Sequence, residues 1–177
     1  HAEVFTELKE YYKQTSESDT TKISFYEDTY SLYNLYRFAH YYEEAYGKYI
    51  WLKSGASLVI EHTEAMTVID VNTGSVLKKK KQEDTLFYQI NREAAKEIAR
   101  QLRLRNISGI IMIDFINMKD TAQKEKLLSL LDSECKKDRV HCNVIDMTAL
   151  NLVEMTRSKV RKPLHEQIRS CMKDNRS

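Results

Sequence analysis

Hydrophobic positions recur at two different periods along this chain, and the change of period divides it. Over residues 31–46, Leu32, Leu35, Tyr36, Ala39, Tyr42 and Tyr46 fall at helical spacing, and Gly47 can end that helix. Before it, residues 3–13 read as a helix and residues 22–26 as a short strand. From residue 48 the period shortens. Residues 48–53, a Ser54-Gly55 turn, 57–62 and 66–72 predict consecutive strands of a meander. A loop over 78–81 leads into a long helix with Phe87, Ile90, Ala94, Ile98 and Leu102 along one face. Residues 107–115 carry so few polar interruptions that they predict a central strand covered on both faces. Asp120 and Gln123 resemble a capping box opening a helix to about residue 137, with Leu127, Leu128, Leu131 and Cys135 packed inward. Two more strands are expected over 143–146 and 152–156. The sum is a mixed α/β fold, a layered sheet with helices on at least one side.

Composition narrows this only modestly. A chain of 177 residues with 42% hydrophobic content can bury one sizeable core, or one domain and part of another. Ten of the eleven tyrosines lie between Tyr11 and Tyr49, which marks residues 1–49 as a segment with its own packing. Such a tyrosine stripe reads first as core or subdomain contact, and as a base-stacking surface only if exposed. The net charge of +2 provides no overall field, so any nucleic-acid surface must be a local patch. One candidate is the stripe Arg92, Lys96, Arg100 and Arg103 on the long helix, which can equally be a solvated face laced by Glu93 and Glu97. No apolar run approaches the roughly 20 residues that span a bilayer, and no export signal is evident. Cys135, Cys142 and Cys171 are odd in number and lack C-x-x-C spacing, which fits reduced thiols and a cytoplasmic location.

The chemistry gathers at two strand ends. Thr67-Val68-Ile69-Asp70-Val71-Asn72 and Ile110-Ile111-Met112-Ile113-Asp114-Phe115 each run an apolar strand into an aspartate. Carboxylates there are costly to desolvate and need a cation, an arginine or hydrogen-bond donors. Alternation puts Asp70 and Asn72 on one face, and if the two strands are neighbours Asp114 lies beside Asp70. Two anions that close raise one pKa unless a cation intervenes, and oxygen ligands without His or Cys favour Mg²⁺ or Mn²⁺. Taken alone, a strand-terminal aspartate that caps the following turn is the commoner arrangement. His62 reads as a structural or surface histidine, so no side-chain general base is evident.

Several blocks together carry a resemblance. They are Leu52-Lys53-Ser54-Gly55, Val59-Ile60-Glu61-His62-Thr63-Glu64-Ala65, Ile69-Asp70-Val71-Asn72-Thr73-Gly74, the stretch 93–105, Gly109-Ile110-Ile111-Met112-Ile113-Asp114-Phe115-Ile116-Asn117-Met118 and Leu152-Val153-Glu154-Met155-Thr156-Arg157. In this order they resemble the catalytic region of the ribonuclease E/G family of bacterial endoribonucleases. The resemblance implies a DNase-I-like catalytic subdomain over 50–167, part of a ribonuclease-H-like subdomain over 1–49, and a C-terminal tail over 168–177. It implies Asp70 and Asp114 as ligands of catalytic Mg²⁺, Asn72 as the residue positioning them or the scissile phosphate, and cleavage of single-stranded RNA to 5′-phosphate and 3′-hydroxyl products.

Departures from the family pattern modify these expectations. The S1 domain and 5′-end sensor of full-length members have no counterpart here, so the chain is expected to be a piece of a longer protein with weak RNA capture and weak activity. Cys171-Met172-Lys173-Asp174 lacks the second thiol of the family's zinc-binding segment, so oligomerisation has no zinc link in these residues. In Asp138-Arg139-Val140-His141 the last position is basic in the family, and His141 there implies a weak or pH-dependent phosphate contact. Further phosphate contacts are candidates at Arg139 and at the alternating Arg157, Lys159 and Arg161, which also suit a charged edge strand. Two other functions fit the same residues: a non-catalytic RNA-binding relic, and a phosphodiesterase acting on another phosphate ester.

Overall fold

The structure, a computed structural model, describes residues 2–14, 23–74 and 83–174. The expected loop over 78–81 lies outside the described residues, as does Lys22. Residues 1–39 and 40–177 form two compact units.

In the first unit, α1 (Ala2–Gln14) buries none of its residues, and Phe5 meets Phe25 at 5.3 Å between ring centroids. Residues 23–26 form no strand. The single helix expected over 31–46 is two: α2 (Leu32–Leu35), capped by the Ser31 hydroxyl accepting from Tyr33 N–H, and α3 (Phe38–Tyr46), most of which belongs to the second unit. Between them Arg37 takes a left-handed φ of 51°, which no helix accommodates. The tyrosines are not core: Tyr30, Tyr33, Tyr36, Tyr41, Tyr42 and Tyr46 are all exposed.

The second unit is built on a six-stranded mixed sheet ordered β1-β2-β3-β4-β6-β5. The strands β1 (Tyr49–Trp51), β2 (Ser57–His62) and β3 (Met66–Asn72) make the expected antiparallel meander. α4 (Glu83–Leu104) then crosses over, and β4 (Gly109–Asp114) pairs parallel to β3, as a helical crossover permits. α5 (Thr121–Cys135) follows, then β5 (Cys142–Met147), β6 (Leu152–Arg157) and α6 (Leu164–Asp174). The last helix occupies most of the expected tail. Asp120 caps α5 by accepting from Ala122 N–H at 2.9 Å, whereas buried Gln123 Oε1 has no partner among the described residues, and the reciprocal arm of the capping box is not made.

Alternation sorts the four inner strands β2, β3, β4 and β6, whereas the register of β5 shifts between Val144 and Asp146. Leu58, Ile60, Ile69, Val71, Ile111, Ile113, Val153 and Met155 form one face, packed against Ile90, Ala94, Ile98 and Leu102 of α4 and Leu127 and Leu131 of α5. On the opposite face Ile110 and Asp114 are exposed, and Val68, Asp70 and Met112 are half-buried. β4 is therefore central in the sheet but covered by described helices on one face only, contrary to its apolar run. No described helix is long and apolar enough to cross a membrane. Cys135 and Cys142 are free thiols, buried and half-buried respectively.

Candidate active site

The parallel pairing of β3 and β4 sets Asp70 directly opposite Asp114. Opposed residues share a face, so both carboxylates emerge on the open side of the sheet. Asn72, two residues beyond Asp70 on the same face, donates its amide N–H to Asp70 Oδ2 at 2.7 Å. Burial first, and then the charge of Asp70, hold the Asp114 carboxyl above its usual range. Among the described residues no three His, Cys, Asp or Glu side chains converge as a metal cluster. One half-buried and one exposed carboxylate suit a hard cation that takes one or two protein oxygens and keeps several waters, so the donor set fits Mg²⁺ or Mn²⁺. Asp146 and Glu154, paired across β5 and β6, lie on the same face and add negative charge to it.

Packing behind the strands holds this geometry, and two of its parts went unread in the sequence. Fully buried Asn91 of α4 binds the chain just after Asp114: its Nδ2 donates to Ile116 O at 2.7 Å and its Oδ1 accepts from Ile116 N–H at 3.0 Å. Glu93, expected to lace the basic stripe, instead accepts from Lys53 N–H at 2.7 Å and Ser54 N–H at 3.3 Å, tying down the β1–β2 turn. That turn touches the segment after Asn72. Gly74 has a φ of +58°, and a Cβ there would lie 2.6 Å from Gly55 O. The only signal for these roles was a polar residue at an inward helical position, Asn91 one residue after Ile90.

His62 lies on the covered side with Leu58 and Ile60, away from the aspartates. Its Nδ1 is 3.0 Å from Thr67 Oγ1, and its ring stacks on His165 at 3.8 Å. This agrees with a structural histidine.

The expected phosphate contacts divide. The stripe on α4 belongs to a helix that covers the other side of the sheet. In it Arg92 lies over the Tyr88 ring, Arg100 forks onto Glu97 at 2.7–3.1 Å, Arg103 donates to Glu134 O at 3.3 Å, and Lys96 is exposed. Arg157 is not on an edge strand, because β5 lies outside β6. It is buried, with Nε 2.9 Å from Asp138 Oδ2 and Nη1 donating to Asn106 Oδ1 at 3.0 Å and Ile107 O at 2.9 Å. Burial alone would raise Asp138, but the Arg157 hydrogen bond, the Val140 N–H and the charges of Arg157 and Arg103 hold it below the usual carboxylate range. Above this pair Arg103, Lys137, Arg139 and Arg161 line a groove of about 440 Å³. His141 is exposed, and Lys159 lies 3.7 Å from Glu166.

Comparison with known proteins places these residues in context. The sequence model of the Ribonuclease E/G family matches residues 1–160. "Ribonuclease G" of Haemophilus influenzae is 40% identical over 160 residues, covering 90% of this chain and 32% of that protein. "Ribonuclease G" of Escherichia coli is 41% identical over 145 residues, 82% of this chain and 29% of that protein. "Ribonuclease E" of Nostoc sp. is 35% identical over 162 residues, 90% of this chain and 23% of that protein. The chain thus spans at most about a third of the length of these relatives.

Proposed function

The chain belongs to the ribonuclease E/G family, and from that premise we propose that it carries the catalytic centre of a metal-dependent endoribonuclease acting on single-stranded RNA. The observation that carries this reading is Asp70 opposite Asp114 in parallel register on the open face, with Asn72 bonded to Asp70. In the same reading, residues 50–167 are a DNase-I-like catalytic subdomain, residues 1–49 are part of a ribonuclease-H-like one, and the protein works in the cytoplasm. Lys96, Arg92, Arg100, Arg103, Arg139, His141, Lys159 and Arg161 remain candidates for phosphate contact.

Asp70 and Asp114 would hold Mg²⁺, or Mn²⁺ in its place, and when bound the ion supplies positive charge to the scissile phosphate and acidifies water. The chain itself contributes preorganisation. Its two carboxylates stand on adjacent strands whose spacing the ladder hydrogen bonds maintain, so no rearrangement is needed at each encounter. Asn72 fixes the rotation of Asp70 through its N–H and keeps its amide oxygen as an acceptor. Burial and the charge of Asp70 raise the Asp114 pKa, and a bound cation would oppose that rise. In hydrolysis the water oxygen joins phosphorus, the bond to the 3′ oxygen breaks, and that oxygen takes a proton, leaving a 5′-phosphate and a 3′-hydroxyl.

The test is cleavage of a single-stranded RNA oligonucleotide in Mg²⁺. Asp70→Asn and Asp114→Asn should abolish cleavage while keeping the fold and RNA affinity, since shape is retained and a repulsion is relieved. Wild-type cleavage by either variant on a denaturing gel overturns the proposal. Turnover by this chain is expected to be slow, to fall steeply with salt, and to be indifferent to a 5′-monophosphate or 5′-hydroxyl end.

A further inference from the structure

The strand registers extend the aspartate row to the sheet edge. Tyr49 of β1 is paired with Val59 of β2, Val59 with Asp70, and Asp70 with Asp114. One step along, Trp51 is paired with Ser57, and Ser57 with Asn72. Opposed residues share a face, so Tyr49 and Trp51 stand on the face that carries Asp70, Asn72 and Asp114. Between them Ile50 turns inward against the core.

These two rings are largely exposed, Tyr49 at 61% with Lys48 Nζ 5.8 Å from its ring centroid, and Trp51 at 72%. Large amphipathic rings exposed side by side on a defined strand are unusual unless they contact a partner. The backbone beneath them is held by Ile60 N–H to Lys48 O, Leu52 N–H to Ala56 O and the Glu93 clamp on the turn, so the rings are presented on a fixed support. At this sheet edge a groove of about 580 Å³ lies between β1 and α4, on the helix-covered side, and its lining includes Lys53 and Lys96. Of the acids of that groove, Glu93 is engaged by the turn and Glu97 by Arg100 and Gln101, while Glu44 is exposed; neither lysine is in an ion pair among the described residues. Two strand spacings of about 4.8 Å put β1 about 10 Å from β3, within reach of a nucleotide adjoining a phosphate at Asp70.

We propose that Tyr49 and Trp51 form a base-stacking platform, so that single-stranded RNA runs across the strands from β4 towards β1, with a base flanking the scissile phosphate stacked on these rings. The inference rests on the nuclease reading and deepens it. Every base has a π-face, so the platform favours unpaired over paired RNA while tolerating many sequences.

Trp51 is the chain's one tryptophan, so its fluorescence reports the platform alone. The experiment titrates the 177-residue chain, in chelator to prevent cleavage, with short single-stranded RNA, with a matched strand whose central nucleotides are abasic, and with duplex RNA. Quenching of Trp51 that saturates with the single strand, and is largely lost with the abasic and duplex strands, is expected. Anisotropy of a labelled strand should show Trp51→Ala binding about tenfold more weakly and Trp51→Phe retaining most affinity. Equal quenching by abasic and base-bearing strands overturns the proposal in favour of charge alone. So does unchanged affinity in a Trp51→Ala chain whose circular dichroism is native. A Trp51 signal that follows protein concentration without RNA also overturns it, identifying the face as a contact between copies. Should Trp51→Ala not fold, Trp51→Phe and the wild-type quenching decide. Because no step requires cleavage, quenching in Asp114→Asn tests the platform even where the nuclease reading fails.

Discussion

Replacing Arg157 with methionine separates a structural role from an RNA-binding one. The side chains of Arg157 and Asp138 are 3% and 7% exposed, and the guanidinium spans Asp138, Asn106 Oδ1 and the Ile107 carbonyl. Methionine keeps much of the volume but leaves a buried carboxylate unpaired and two acceptors unsatisfied. Removing one partner of a buried pair costs about 3–5 kcal/mol, and each orphaned acceptor adds about 1–3 kcal/mol where it cannot reach water. These contributions overlap, so a loss of about 4 kcal/mol is expected, a large share of the roughly 5–15 kcal/mol that stabilises a domain. Urea unfolding followed by circular dichroism at neutral pH measures it. Adding Asp138→Asn should recover part of the loss by removing the stranded charge. The pH dependence gives a second check. The Asp138 pKa is lowered in the folded state, so its contribution is present above the unfolded value of about 3.9 and is lost as pH falls through the folded value. In Arg157→Met the carboxylate is buried without its cation, so the variant's deficit should shrink in acid. A loss below about 1 kcal/mol that is indifferent to pH would refute the buried-pair reasoning.

Three other outcomes follow from the site's supports. Gly74→Ala places a methyl against the Gly55 carbonyl at a positive φ, so it should cost about 2 kcal/mol in chemical denaturation and lower cleavage, because Asn72 lies two residues away. Unchanged stability would show that this loop yields freely. Asn91→Ala strands the N–H and C=O of Ile116 and should cost about 2–3 kcal/mol in the same assay; no change would mean water replaces the amide. Asp114 has a raised folded pKa, so its ionisation penalises the folded state, with the penalty absent below about pH 3.9 and growing as pH rises through the folded value. Thermal unfolding should therefore show Asp114→Asn gaining on wild type over that window, with Mg²⁺ closing the gap; a variant less stable than wild type at neutral pH without metal contradicts this.

Local pattern alone was enough for most elements from residue 48 to 157 and for part of the site, but not for residues 23–46, where an expected strand is absent and an expected helix is two. Period-two alternation placed Asp70 and Asn72 on one face, because side-chain direction along a strand depends only on residue number. It also sufficed for the β1–β3 meander, whose partners are adjacent in sequence. Tertiary structure decided whatever needed a distant partner. The adjacency of β3 and β4, and so the meeting of Asp70 with Asp114, depends on a crossover through α4 that sequence left conditional. The apolar run of β4 suggested two covered faces, yet the described helices pack on one, leaving the aspartates reachable. Arg157 looked like one of three alternating surface cations, but Asp138, 19 positions away, draws it into the interior. Asn91 and Ile116 meet over 25 positions, and Tyr49 joins the aspartate row only through two successive registers. Periodicity determines which way a side chain points, whereas what it meets there depends on chain segments brought together by burial of the common core.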